Sequence, residues 1–337
     1  MLRNAKFCLA VALSLAAGGL RADEGAKSET ITDAAKAGPD YAIQGEYIGE
    51  FNLGDGVDQK FGLQVISVGK DDQGKPKYHG IAYFGGLPGD GWDGFGKLET
   101  DSEIKDDGAV HLVANEGSAV VKDGVVTIKT VDDQELGKLK KTERKSSTLD
   151  AKAPEGAVVL FDGTSADNFT GATLTADKLL LPKGDAVSKQ KFQDFTLHVE
   201  FRTPYMPDAT GQARGNSGVY LQNRYEVQIL DSFGLEGLDD ECGALYSKKA
   251  PRENSAYPPL TWQTYDIDFT AAKFEGDKKV KNAVVTVRHN GNLIHENQEI
   301  DGETPGGDKE GPAAGPIRLQ DHGNPVVFKN IWVVEKK

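Results

Sequence analysis

AVVTVRHNGNLIH, residues 283–295, alternates apolar and polar side chains on both sides of an Asn290-Gly291 pair. Asn-Gly accepts the positive φ angles of a type I′ turn, so the segment predicts a two-stranded antiparallel hairpin. The same alternation recurs in short runs punctuated by glycine and aspartate. In the C-terminal half these runs are 157–161, 174–181, 196–202, 217–222, 225–230, 263–269, 316–320 and 326–334. In the N-terminal half they are 46–53, 62–68, 78–84, 109–113, 119–121 and 125–129. No amphipathic helical stretch of useful length interrupts them. The expected class is all-β, a C-terminal sandwich preceded by a smaller β-rich domain.

The 337 residues are enough for two cores. Arg3 and Lys6 precede an apolar run over 7–17, and small residues lead to Ala22 before Asp23-Glu24. That pattern predicts a secretory signal over 1–22, too short in its apolar part to span a membrane. A secreted or periplasmic protein without membrane insertion is expected. Residues 23–40 have little apolar material and read as a disordered or loosely docked leader. Residues 41–137 form the N-terminal β-rich domain. Within it, Gly85 to Gly94 (GGLPGDGWDG) is too rich in glycine for a strand and reads as an ordered loop. Residues 138–155 are basic, polar and end near Pro154, which predicts a solvated linker before the sandwich at 156–337.

The formal charge is −13, and removal of Arg3, Lys6 and Arg21 with the signal takes it to −16. A chain this acidic repels phosphate backbones and anionic membranes, so nucleic acid is excluded as a partner. Cys8 lies in the signal, which leaves Cys242 without a disulfide partner and suits it to a packed structural thiol. No oligomeric state is read from the sequence.

Strand alternation separates core from solvent. Leu197, Val199 and Phe201 oppose His198, Glu200 and Arg202; Val219 and Leu221 oppose Tyr220 and Gln222. Tyr225, Val227 and Ile229 oppose Glu226 and Gln228, and Ile317 and Leu319 oppose Arg318, Gln320 and His322. The polar faces gather side chains that grip sugar hydroxyls and carbonyls, so a concave ligand-binding sheet is expected if the strands are neighbours, with a face polar only for solubility as the alternative. Residues 231–260 read as a long loop over the sheet's mouth, with Tyr246 and Tyr257 able either to stack on a sugar or to pin the loop. Asp239, Asp240 and Glu241 could hold calcium or form a solvated turn. No cofactor is otherwise expected, and no histidine–cysteine spacing suggests zinc.

Several segments carry a family likeness. Val159-Leu-Phe-Asp-Gly-Thr-Ser165, Phe192-Gln-Asp-Phe195 and Val199-Glu-Phe-Arg202 come first. Gly215-Asn-Ser-Gly-Val-Tyr220 and Tyr225-Glu-Val-Gln-Ile-Leu-Asp231 follow, then Cys242-Gly-Ala-Leu-Tyr246 and Trp262-Gln-Thr-Tyr265. Gly315-Pro-Ile-Arg-Leu-Gln-Asp-His-Gly323 and Phe328-Lys-Asn-Ile331 close the series. Together, over about 156–335, they resemble the 3-keto-disaccharide hydrolase family of concanavalin A-like domains. One departure is the absence of a tryptophan after Asp162-Gly163, where Phe169 takes the place.

The resemblance implies a jelly-roll sandwich that hydrolyses glycosides oxidised at sugar carbon 3. The ketone acidifies the C2 proton, the C1 oxygen leaves by elimination, and water adds to the enone. That route needs a base, a polariser for the C3 oxygen and an acid for the leaving group, not the nucleophile–acid pair of ordinary retaining glycosidases. Glu226 is the candidate base, with a salt bridge to Arg202 or Arg318 as its structural alternative. Arg202 and His322 are candidate donors to the enolate, with the capping of a turn as the alternative for His322. Tyr220, Gln228, Gln320, Arg318, Glu200, Tyr246 and Asp231 are candidate substrate-binding residues. Gln228 stands where laminarinase-type enzymes carry a central acid, which disfavours their mechanism. A non-catalytic carbohydrate-binding module and an envelope interaction protein are the alternative functions.

Overall fold

The computed structural model describes residues 29–336 apart from 54, 55 and 106. The expected signal over 1–22, and the start of the expected leader, lie outside the described residues.

The first unit is an antiparallel barrel of β1 (Gly45–Asn52), β2 (Asp58–Lys70), β3 (Pro76–Phe84), β4 (Lys97–Ile104), β5 (Val110–Ala114), β6 (Gly117–Lys122), β7 (Val125–Lys129) and β8 (Glu135–Thr142). Each strand pairs with the next, and β1 closes the barrel onto β8 through Glu46↔Thr142 and Ile48↔Lys140. Inward side chains, among them Tyr47, Phe51, Phe61, Leu63, Val65 and Val126, fill the interior. Phe51 and Phe61 stack with ring centroids 4.0 Å apart.

The second unit comprises β9 (Val158–Phe161), β10 (Phe169–Leu174), β11 (Leu180–Phe192), β12 (Phe195–Arg202), β13 (Ser217–Leu221), β14 (Tyr225–Ile229), β15 (Gln263–Thr270), the small pair β16 (Lys273–Glu275) and β17 (Lys278–Lys281), β18 (Ala283–His289), β19 (Asn292–Ile300), β20 (Gly315–Leu319) and β21 (Val327–Glu335). The main path runs β14-β13-β20-β11-β21-β12-β15-β18-β19. β11 meets β21 through the single pair Leu180↔Phe328, and there the path folds over into two layers. Tyr265 on β15 shows the closure, since its hydroxyl donates to the Gln228 carbonyl on β14 at 2.6 Å although many strands separate them along the path. Val219, Val227 and Leu319 from one layer share a core with Leu197, Val199, Phe201 and Ile267 from the other. This is a jelly-roll sandwich with the core between its sheets. Cys242 lies in that core against the Tyr265 hydroxyl at 3.2 Å, and burial pushes its thiol up to about 11.

The expected hairpin forms at β18–β19, with Asn290 and Gly291 at φ 53° and 87° and His289 paired to Asn292. The run expected over 174–181 instead contains a turn. Leu174 and Leu180 are cross-strand partners, and Lys178 bends the chain at φ 60°.

One expectation about the connections is corrected and another is narrowed. Residues 138–142 complete β8, with Leu139 pointing into the barrel at 1% exposure while Lys138 and Lys140 face water. A basic face concealed a strand that is wet on one side only. Residues 29–40 dock on the sandwich, the second of the two expected alternatives. Ile31 exchanges backbone hydrogen bonds with Tyr205 at 2.9 and 2.8 Å, and α1 (Gly38–Ile43) follows, with Pro39 in its first turn. Ile31, Ala37 and Tyr41 pack with Tyr205 and Leu260.

Barrel and sandwich meet over an apolar patch in which Ile66, Ile81, Tyr83 and Leu87 enclose Phe233. Burying a ring of that size contributes about 1.5–3 kcal/mol. The chain between the units lies along the sandwich and does not hang free. Ser146 and Thr148 hydroxyls bond Thr264, Thr148 also donates to Asp266 at 2.6 Å, and Asp150 N–H donates to Glu200 at 2.6 Å.

Candidate active site

The layer β14-β13-β20-β11 carries the polar cluster. Register places Tyr220 between Glu226 and Arg318, and Val187 on β11 continues the row. The next row pairs Gln228 with Gly218, and Gln320 extends it through its N–H to the Gly218 carbonyl at 2.9 Å. Because residues opposite each other share a face, Glu226, Tyr220, Arg318, Gln228 and Gln320 stand on one surface of this sheet.

Gly218 makes that surface possible. A Cβ built there would lie 2.0 Å from Glu226 Oε1. The carboxylate therefore crosses β13 directly above the bare glycine, the close approach for which a strand interior gives up a side chain. Tyr220 donates to Glu226 Oε2 at 2.7 Å, whereas Oε1 accepts no hydrogen bond from the described residues. Glu226 N–H donates to Thr304 Oγ1 at 2.9 Å, and its carbonyl accepts from Tyr246 N–H at 3.2 Å. The second contact adds the Ala244–Tyr246 backbone as an outer strand beside β14, with Val227 bridged to Leu245.

Burial pushes the Glu226 carboxyl up to about 7, against the smaller opposing pulls of the Tyr220 hydroxyl and the Arg318 charge. No ion pair joins it to Arg202 or Arg318. Burial, reinforced by Glu226, holds Tyr220 neutral far above the ordinary tyrosine range. Arg318 stacks its guanidinium 3.6 Å from the Tyr220 ring centroid and donates to the Gly306 carbonyl at 2.8 Å. Asp185 lies 3.5 Å from it. Arg318 Nε and Gln320 Oε1 are buried without hydrogen-bond partners among the described residues. A neutralisable carboxylate, a fixed cation and two unsatisfied polar atoms share one polar face, an arrangement suited to a polar ligand and to proton transfer.

Arg202 and Glu200 do not belong to this cluster. They lie on β12 in the other layer, whose polar face looks out from the opposite side of the core. Arg202 sits 5.0 Å over the Trp262 ring. Glu200 accepts from Asp150 N–H and from Asn330 at 2.7 Å and lies 3.2 Å from Lys329. Alternation separates inside from outside, but a sandwich has two outsides. Arg202→Ala is expected to change kcat/KM by less than about twofold, measured on the same substrate as wild type; a large loss would return β12 to the mechanism.

The other expected residues divide. Gln228 shares the face but spends its amide on Gln212 Oε1 at 3.0 Å. Tyr246 is half-buried and stands opposite Glu226 through the outer backbone pairing. Asp231 is held by Arg214 Nε at 2.7 Å, after a break in alternation that buries both Ile229 and Leu230. His322 is exposed in the turn after β20, a turn capped by Asp321 accepting from Gly323 N–H at 3.0 Å. Glu241 accepts from the Gly237 and Leu238 N–H groups and so fastens its own turn. Among the described residues no group of three His, Cys, Asp or Glu side chains converges as a metal site. Sequence reasoning missed Gly218, Thr304 and the Gly306 carbonyl. A glycine inside an apolar alternation was the available signal for the first; nothing local marks the others, which arrive from a distant loop.

A family model described as the 3-keto-alpha-glucoside-1,2-lyase-like domain matches residues 156–334, which include every residue of this cluster. The chain belongs to that family. A solved structure from Parabacteroides distasonis ATCC 8503, described as a candidate glycosyl hydrolase, is 35% identical, with 55% of this chain and 85% of that chain covered and a TM-score of 0.51. A second structure from the same organism, with the same description, is 19% identical over 54% of this chain and 95% of its own, with a TM-score of 0.41. No curated protein matches the chain. Family membership supports a glycoside-cleaving function for the sandwich.

Proposed function

We propose that the protein is an exported enzyme that cleaves glycosides carrying a ketone at sugar carbon 3, by elimination across C1 and C2 followed by hydration. One observation carries this reading: a buried carboxyl, fixed through one oxygen by Tyr220 and with the other seated over Gly218. Glu226 takes the C2 proton, and the electron pair delocalises onto the C3 oxygen. Arg318, in place of Arg202, stabilises that enolate with its unpartnered Nε. The enolate then collapses, the C1–O bond breaks and the departing oxygen takes a proton. His322, two residues beyond Gln320 and exposed at the rim, is the side chain assigned to supply it. Water adds to the enone, its hydroxyl to C1 and a proton to C2. Gln320, Gln228 and Tyr246 hold sugar hydroxyls. Export rests on Arg3, Lys6 and the apolar run over 7–17.

The deciding assay offers a 3-keto-disaccharide beside its unoxidised parent. Release of 3-keto-glucose from the first alone is expected. Tight binding of both without turnover would instead identify a carbohydrate-binding module.

The base must be ionised, so kcat/KM is expected to rise with pH through about 7, the value to which burial pushes Glu226. The Tyr220 hydroxyl pulls that value down. Tyr220→Phe should therefore move the acidic limb of the profile to higher pH, and an unmoved limb would assign it to another group.

A further inference from the structure

We infer a second saccharide site in the cleft between barrel and sandwich, one that takes neutral oligosaccharides and contains none of the Glu226 cluster. The cleft encloses about 320 Å³, within the range of small-ligand sites, and lies at a junction between domains, where such sites concentrate. Trp92 and Tyr83 line the barrel side, and Arg252, Glu253 and Asn254 line the sandwich side.

The loop that presents Trp92 is built at a conformational cost. Gly85, Gly86 and Gly91 hold φ of 91°, 133° and 106°, and a Cβ on them would fall 2.9, 2.2 and 2.4 Å from backbone oxygens of the same loop. No side chain fits at these positions. The loop is then pinned from outside, by Lys60 on the Asp90 carboxylate at 2.9 Å and by Arg144 on the Pro88 carbonyl at 2.6 Å. Trp92 is itself locked, its indole N–H on the Phe95 carbonyl at 2.7 Å and its ring against Tyr83 at 5.0 Å. Yet the indole remains half-buried at the cleft. Trp92 packs at the edge of the apolar patch around Phe233 and still presents part of its ring to the cleft; a fixed aromatic plane beside directional polar groups is the arrangement that stacks a pyranose ring.

The charges define the ligand class. Asp93, Glu236 and Glu253 line it together with Lys97 and Arg252, and both cations are committed, Lys97 to Glu236 and Arg252 to Glu296 at 2.8 Å. With acids and bases nearly balanced, the cleft attracts neither anions nor cations strongly. It offers many hydrogen-bonding groups to a polyhydroxylated neutral molecule.

The test is calorimetric titration of the full chain carrying Glu226→Gln with maltopentaose, cellopentaose and laminaripentaose. These sugars are unoxidised, so the outcome is separate from turnover of 3-keto substrates. At least one should bind, with Trp92→Ala weakening it by about tenfold or more and Trp92→Phe by less. Arg252→Ala, an exposed position on the opposite wall, should also weaken it and serves if Trp92→Ala does not fold. Binding of none of the three, or binding that neither wall's variant alters, overturns the site.

Discussion

Glu226→Gln is expected to abolish turnover of 3-keto-glycosides and, at the same time, to make the protein more stable in alkaline solution. General base help is worth about 10²–10⁴-fold, so activity should fall by at least that much. The stability effect follows from linkage. The carboxyl is raised from 4.5 to about 7 by burial, so the folded state holds a proton that the unfolded chain releases more readily. The resulting stabilisation is fully present below pH 4.5 and is lost as pH rises through about 7. The variant lacks that loss. Its advantage should grow across this window to the order of 3 kcal/mol above pH 8. Thermal unfolding at pH 5 and pH 9 checks the sign. Equal shifts at both pH values, or retained activity, would remove Glu226 from its assigned role.

Gly218→Ala should be almost as damaging, without touching an ionisable group. The new methyl would fall 2.0 Å from Glu226 Oε1, so the carboxylate must move. A displacement on the order of 1 Å at a reacting group costs about 10²-fold in rate. Overpacking adds about 1–3 kcal/mol of destabilisation. Turnover and unfolding measured together separate the two effects. Full activity in the variant would mean that the seat over Gly218 is incidental.

Much of this was legible beforehand because it depends on local rules. Asn290-Gly291 specifies its turn through positive φ, and alternation around Val219, Val227 and Leu319 identifies core side chains. Tyr220, Glu226, Arg318 and Gln320 share a face because each lies on the outward side of the same layer. Arg202 and Glu200 have the same local pattern and ended on the far side, since layer membership is decided by which strands pair. Lys138 and Lys140 obscured β8, because composition outweighed the single buried Leu139. The raised pKa of Glu226 depends on burial beneath residues distant in sequence, which no local pattern records.

The stretch linking barrel to sandwich also bears on how the protein can be divided. Ser146, Thr148 and Asp150 satisfy Thr264, Asp266 and Glu200, and Asp266 and Glu200 in turn hold the buried His198 imidazole. A fragment cut at residue 156 to match the family boundary would strip this cover and wet a charged seam. Expression designed to isolate the sandwich should therefore begin upstream of Ser146, even though those residues belong to no strand of either unit.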